Sequence, residues 1–116
     1  MSEEGKAIVK QAVTEEEIAT SIAAKATAAQ VQKAAAFLKA LAHPARLRIL
    51  CRLSEGPASV GALELYLDLP QAAVSKQLAR LRADKLVRGL RDGRSITYEL
   101  MDETTRQVIQ LLCHRF

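Results

Sequence analysis

The sequence predicts a mainly α-helical fold with one small β-hairpin, in the order α-α-α-α-β-β-α. The helical character is clearest after Pro70, where Val74, Leu78 and Leu81 recur at i, i+4 and i+7 and form one apolar stripe. The hairpin is clearest at residues 92–100, where an Asp-Gly pair favours a tight turn and is followed by alternating polar and apolar side chains. Proline suits the first turn of the helix, because its missing N–H would be unpaired there in any case.

The helix after Pro70 carries small or polar side chains opposite its apolar stripe, and no carboxylate. These side chains are Ala72, Ser75, Lys76, Ala79 and Arg80. Small side chains allow a helix backbone to approach the floor of the major groove, so this face is typical of a DNA recognition helix. An ordinary amphipathic surface helix would show the same stripe, and the helix alone does not separate the two interpretations.

Positive charge is concentrated around this helix and the hairpin. From residue 70 to residue 98 there are seven cations and two anions, a balance of +5, whereas the whole chain carries +4. Three of the cations, Arg88, Arg91 and Arg94, lie on or beside the hairpin. A basic helix followed by a basic hairpin predicts a winged helix-turn-helix, and clustered positive charge is the footprint of a phosphate-binding surface. We therefore expect double-stranded DNA as a partner.

Length and composition indicate one ordinary domain of 116 residues with an aliphatic core, since 49% of the residues are hydrophobic and 3% are aromatic. No stretch approaches the ~20 apolar residues of a membrane span, and the acidic N-terminus lacks the apolar core of a secretory signal, so we expect a cytoplasmic protein. Residues 1–13 are expected to form a disordered tail, and residues 14–116 a single DNA-binding and dimerisation domain. The sequence contains no phosphate-binding glycine loop, no zinc-ligand spacing and no nucleophile elbow. We therefore expect neither enzymatic activity nor a bound cofactor.

The N-terminal part of the domain is expected to be a long helical segment. Thr14 and Glu17 have the spacing of a capping box, and the segment runs to about Ala42, with a break between Ser21 and Ala28 left open. A helix of this length has more apolar surface than one small domain covers. We therefore expect part of it to form a subunit interface.

Three further helices are expected along the rest of the chain. One begins at Pro44 after His43 and ends near Leu53, with Gly56 as a stop residue. It is expected to be buried on more than one face, because Ile49 lies opposite the apolar stripe. Its apolar stripe is Leu47, Leu50 and Cys51. Ser59 is expected to cap a short helix with Val60, Leu63 and Leu67 facing inward. The last helix is expected to begin at Asp102, or at Met101 just before it, and its apolar face is Val108, Leu111 and Leu112.

Residues 38–50, LKALAHPARLRIL, resemble the signature of the ArsR/SmtB-family winged-helix repressors. Residues 59–64 and 74–78 continue the match, as does the wing, so the resemblance covers about residues 38–100. It implies a homodimer formed by the first and last helices, which binds an imperfect palindrome with one recognition helix in each half-site. In such dimers the half-site centres lie about 34–36 Å apart, one turn of DNA.

The chain departs from the metal-sensing members of that family. Some of those carry paired cysteines near the positions of Ser59 and Gly61, and others need an Asp-x-His motif early in the last helix. Here Asp102 matches alone, because Thr104 stands where the histidine would be. No metal site is expected, since one carboxylate cannot hold zinc or nickel. Lys85 stands where the family often has glycine. If the backbone at this position is left-handed, lysine lowers the stability of the fold by up to about 1 kcal/mol relative to glycine.

Cys51 and Cys113 allow two interpretations. Both could be buried packing residues, and a cytoplasmic protein is expected to hold them as reduced thiols without a structural disulfide. Their positions, however, look like those of the persulfide-responsive branch of the family, the SqrR/BigR and HlyU-like repressors. That resemblance implies a dithiol pair that senses reactive sulfur species, with a persulfide or polysulfide as the inducer in a sulfide response, and releases DNA when oxidised. Arg48, Arg52 and Arg115 are candidate cations to favour the thiolate, whereas a helix C-terminus disfavours it.

Two alternative functions stay open from the sequence. An arsenic or antimony sensor of the same family also uses thiols, but usually three, and this subunit offers two. A helical protein-interaction module would use the basic face for another protein. His43 and His114 are expected to be a helix-start residue and an exposed terminal residue. The DNA-binding residues expected from helix geometry and the resemblance are Gln71, Ala72, Ser75 and Lys76 at base edges, Gln77 at an edge or a phosphate, and Arg80, Arg82, Arg91 and Arg94 at phosphates or the minor groove.

Overall fold

The computed structural model describes residues 14–116, so the tail expected at residues 1–13 lies outside the described residues. The chain forms two compact units that divide after Ala35. The helices are α1 (Glu15–Thr20), α2 (Ile22–Lys25), α3 (Ala28–Leu41), α4 (Pro44–Leu53), α5 (Val60–Leu67), α6 (Gln71–Ala83) and α7 (Glu103–Arg115), and the strands are β1 (Ala58–Ser59), β2 (Val87–Asp92) and β3 (Ser95–Leu100).

The first unit begins with the expected capping box. The Thr14 hydroxyl accepts a hydrogen bond from the Glu17 N–H at 3.2 Å, and the Glu17 carboxylate accepts one from the Thr14 N–H at 3.3 Å. A second box follows at Thr27 and Gln30, with reciprocal bonds of 2.8 and 3.1 Å. The long segment is therefore broken within the interval that the sequence left open, because Thr27 starts a new helix.

The second unit contains a three-stranded antiparallel sheet in the order β1-β3-β2. Asp92 pairs with Ser95, so the two residues between the strands are Gly93 and Arg94. Gly93 has a φ of 63°, as the first central residue of a type II′ turn requires. The turn is thus one residue later than the expected Asp-Gly pair. The short strand β1, which pairs Ala58 with Tyr98, was not expected.

The core of the second unit confirms the main apolar stripes. Val74, Leu78 and Leu81 of α6 are at most 1% exposed, and Ile49 is fully buried on the second face of α4. The expected apolar face of α7 was partly wrong, because Leu111 is 72% exposed. Ile109 is fully buried instead, since α7 packs against α4 and β3 through that side.

The expected helix starts are confirmed, with one shift. The Ser59 hydroxyl accepts from the Ala62 N–H at 3.1 Å and caps α5. The Asp102 carboxylate accepts from the Thr105 N–H at 2.7 Å and caps α7. These bonds to Thr105 lower the pKa of Asp102 below its ordinary value. Pro70, expected within the first turn of α6, is the residue before that turn. Among the described residues, no helix is long and apolar enough to span a membrane.

Lys85 follows α6 in the left-handed region, with a φ of 60°. Glycine populates this region without the penalty that a Cβ brings, so Lys85→Gly is expected to raise the free energy of unfolding by up to about 1 kcal/mol relative to Lys85→Ala. The alanine variant is the matched control, because it removes the charge and keeps the Cβ. Urea denaturation measures both, and equal stabilities of the two variants would contradict this reason.

Candidate nucleic-acid interface and cysteine pair

The orientation of α6 is fixed by its buried stripe. Because Val74 and Leu78 are buried, the opposite side of the helix faces outward. The residues expected to contact base edges, Gln71, Ala72, Ser75 and Lys76, are all exposed, and Gln77 is half-buried. The structure therefore places these residues on one continuous surface of the kind that fits a major groove.

The cations of this region differ in how they are held. Arg80 lies 3.4 Å from the Asp84 carboxylate, and Arg88 lies 2.7 Å from the carboxylate of Glu99 on the adjacent strand. Arg88 was not among the predicted DNA contacts. Apart from Arg80, the cations that were predicted to contact DNA are Lys76, Arg82, Arg91 and Arg94, and all four are exposed. Arg80 is itself 64% exposed, and a surface ion pair of this kind contributes little stability, so it can be exchanged for a phosphate.

The wing and the start of α6 meet at a polar cleft. Gln71 and Arg94 line it together with Ser59, Gly61 and Ser95, and its volume is about 350 Å³. The structure thus brings together two of the expected DNA-contacting residues that are 23 positions apart in the sequence. It also adds the start of α5 to this surface, which the sequence did not indicate.

Arg46 connects α4 to the end of α6. Its side chain is only 13% exposed, and its guanidinium lies 3.9 Å from the Asp84 carboxylate. This is an ion pair without a hydrogen bond, since the distance is too long for one. Arg46 therefore links the first turn of α4 electrostatically to the C-terminal end of α6.

Cys51 and Cys113 form a disulfide, with their Cα atoms 6.2 Å apart. The expectation that a structural disulfide would be absent is thus not met in this structure, because the C-terminal ends of α4 and α7 converge and place both sulfurs at one point. The pairing implied by the resemblance is what the structure contains. Cys51 is half-buried against the core, whereas Cys113 is exposed.

The cations expected to act on the thiols have other partners. Arg48 donates to the main-chain carbonyl of Tyr66 at 3.1 Å and also lies over the Tyr66 ring. Arg52 donates to the main-chain carbonyl of Gly56 at 3.2 Å. Arg115 lies over the ring of Phe116. A further cation, Arg106 of α7, donates to the Ser54 carbonyl at the end of α4, and it was not among the candidate cations predicted from the sequence. Its spacing of seven residues from Cys113 on one helix would have placed it on the same face.

Residues 43–89 match the family model described as the bacterial regulatory protein, arsR family. The chain is 42% identical over 83 residues to the transcriptional activator HlyU of Vibrio cholerae, a match that covers 72% of this chain and 76% of that relative. It is also 42% identical over 78 residues to the biofilm growth-associated repressor of Agrobacterium fabrum, covering 67% of each protein.

Solved structures are similar over most of the described chain. Reduced HlyU from Vibrio cholerae has a TM-score of 0.71 at 38% identity, covering 74% of this chain and 90% of that one. The homodimeric winged helix-turn-helix DNA-binding domain Mb0332 from Mycobacterium bovis has a TM-score of 0.67 at 29% identity, covering 73% of this chain and 79% of that one. The predicted winged helix-turn-helix fold is confirmed.

The exposure of the two sulfurs predicts their order of reaction after reduction. Cys113 is exposed and Cys51 is half-buried, so iodoacetamide is expected to label Cys113 first. Peptide mass spectrometry at successive times measures both sites in the same sample. Faster labelling of Cys51 would contradict access as the controlling factor. The unreduced disulfide form is the control, and we expect it to take no label.

Proposed function

This chain belongs to the arsR family of bacterial regulatory proteins, which are transcriptional regulators, and we propose that it is a repressor whose Cys51–Cys113 dithiol senses persulfides and releases operator DNA when oxidised. The resemblance to HlyU and BigR that the sequence indicated is confirmed by the match to HlyU of Vibrio cholerae and by the similar solved structure of the transcriptional repressor BigR from Xylella fastidiosa. The observation that carries the proposal is the convergence of the two sulfurs at one end of α4, whose other end is tied to the recognition helix.

We propose that α6 enters the major groove. Gln71, Ala72, Ser75 and Lys76 would contact base edges, because they occupy its exposed face. Gln77, half-buried beside them, would reach an edge or a phosphate. The arginines would neutralise phosphates or enter the minor groove from the wing, and these are Arg80, Arg82, Arg91 and Arg94. We also propose that the protein is cytoplasmic, where it can bind chromosomal DNA, and that its binding represses transcription.

We propose a homodimer through the N-terminal helical segment, which ends with α3, and the last helix, α7. Leu111 of α7 is 72% exposed, Phe116 directly after α7 is 95% exposed, and Leu38 of α3 is 59% exposed, so most of the surface of these apolar side chains is left uncovered within the described second unit. One similar structure, Mb0332, is described as homodimeric. A dimer would cover these side chains and set the spacing of the two recognition helices.

The sulfur chemistry of the proposal is balanced with one persulfide. One protein thiolate attacks the outer sulfur of glutathione persulfide, forms a protein persulfide and releases glutathione. The second thiolate attacks the protein sulfur of that group, closes the Cys51–Cys113 disulfide and releases hydrogen sulfide. The two thiols are oxidised, and the transferred sulfur is reduced. The direct disulfide in this structure is the product we propose, and a longer sulfur bridge would differ from it in mass.

Cys51→Ser and Cys113→Ser are expected to bind operator like the unmodified protein and to stay bound when glutathione persulfide is added, because neither can close the bridge. Release is measured by fluorescence anisotropy on a duplex selected by the protein from a random library. Normal release of either variant would refute the dithiol mechanism. Arsenite in a parallel titration is the control for a metalloid sensor, and release by arsenite but not by persulfide would favour that alternative.

Lys76 and Arg82 test two parts of the proposed recognition surface separately. Lys76→Ala is expected to weaken operator binding by about 1–3 kcal/mol and to relax discrimination at one base pair, since a base-edge contact is lost. Arg82→Ala, on the same helix, is expected to weaken all duplexes alike and to reduce the slope of log affinity against log salt by about 1. Sequence-independent binding by the unmodified protein, or no salt dependence, would instead favour a protein-interaction module.

A further inference from the structure

One face of α7 carries a row of side chains that leads to Cys113. Arg106, Gln110 and Cys113 are spaced at i, i+4 and i+7, so they lie above one another on the helix surface. Ile109 lies beside this row and is fully buried. The row therefore faces the same neighbour as the buried side of α7, which is the C-terminal end of α4.

The first two members of the row bind the end of α4 directly. The Arg106 guanidinium donates to the Ser54 carbonyl at 2.6 Å and to the Leu53 carbonyl at 3.4 Å. The Gln110 amide donates to the same Ser54 carbonyl at 3.1 Å. Ser54 is buried, and its hydroxyl donates to the carbonyl of Cys51 at 2.6 Å. The peptide groups that Arg106 and Gln110 hold are thus directly connected to the turn that carries Cys51.

The contacts satisfy a general requirement of helix ends. The last four carbonyls of a helix have no partner within it, and the end carries partial negative charge. A guanidinium is well suited to both, because it is charged and presents several fixed N–H donors. Glu103 lies 3.2 Å from the Arg106 Nε and orients the group. Such bonds fix both the rotation and the axial position of α7 relative to α4.

We propose that Arg106 and Gln110 are positioning residues for the dithiol, and we refer to the two side chains as the α7 clamp. The clamp uses no sulfur atom, so it holds α7 on α4 in the reduced state as well. Once the first sulfur carries a persulfide, the second thiol is already facing it, and the bridge closes at high effective concentration. The inference rests on the proposed function for its biological purpose, but its physical content concerns the free protein alone.

The equilibrium between the dithiol and glutathione tests the clamp. The protein is equilibrated with reduced and oxidised glutathione, and the disulfide fraction is quantified by alkylation and mass spectrometry. Gln110→Ala is expected to lower the constant for bridge formation by up to about fivefold, and Arg106→Met by up to about tenfold, where the limits are the usual worth of neutral and charged hydrogen bonds. The constant falls because the weakened reduced state separates α7 from α4 more often, whereas the bridge holds the two helices together in the oxidised state. Arg106→Lys is expected to recover part of the loss, because an ammonium can still donate to the Ser54 carbonyl.

Gln107→Ala is the matched control, since Gln107 is on the same helix and exposed. We expect it to leave the constant within about twofold of the unmodified protein, a change smaller than the loss of one hydrogen bond. Gln110→Leu keeps the bulk of the side chain if the alanine variant is unfolded. The proposal would be overturned if the bridge-formation constants of Gln110→Leu and Arg106→Met equalled that of Gln107→Ala. This holds even if the two variants are less stable to urea.

The clamp and the proposed function can fail independently. The glutathione equilibrium is measured without DNA, so a protein whose operator affinity ignores its redox state can still show the expected losses. Hydrogen exchange of reduced protein adds a second readout. Amides in the last two turns of α7 are expected to exchange faster in Gln110→Leu than in Gln107→Ala, because the helix end separates more often. Equal exchange rates would contradict a clamp that acts in the reduced state.

Discussion

The attachment of α7 to the C-terminal end of α4 is the constraint on which the rest of the molecule depends. Ile109 is fully buried there, and Arg106 binds the carbonyls at the end of α4. These contacts bring Cys113 to Cys51 across a sequence separation of 62 residues. Because α7 also exposes Leu111, the same helix joins the proposed redox pair to the proposed subunit interface.

Helix α4 connects the two proposed functional regions of the chain. Near its start, Arg46 lies 3.9 Å from Asp84 at the end of α6, the proposed recognition helix, and near its other end Cys51 bonds to Cys113 of α7. Its middle is anchored by Leu50, which is fully buried. A bridge to Cys113 therefore acts on an element that is packed against α6. This contact gives the proposed coupling a physical route, and the coupling itself is what the measurements on operator binding test.

Much of this structure could be predicted from local sequence pattern. The stripe of Val74, Leu78 and Leu81, the Thr14–Glu17 capping box and the Ser59 cap each follow from spacing within a few residues, and all are observed. A two-residue strand such as β1 has no periodicity, because its pairing is decided by β3. The fully buried side of α7 depends on which helix packs against it, and periodicity alone did not distinguish Ile109 from its apolar neighbours.

The cysteine site was predicted by resemblance, and its surroundings were not. Spacing does not show that Arg48 is held by Tyr66 or that Arg106 reaches Ser54, since both contacts are tertiary. The central claim is that formation of the Cys51–Cys113 bridge and binding of operator DNA oppose one another. It is tested most directly by measuring the glutathione equilibrium of the two cysteines with and without saturating operator duplex. By linkage, DNA should lower the constant for bridge formation by the factor by which oxidation weakens binding. A constant unchanged by operator would contradict the claim.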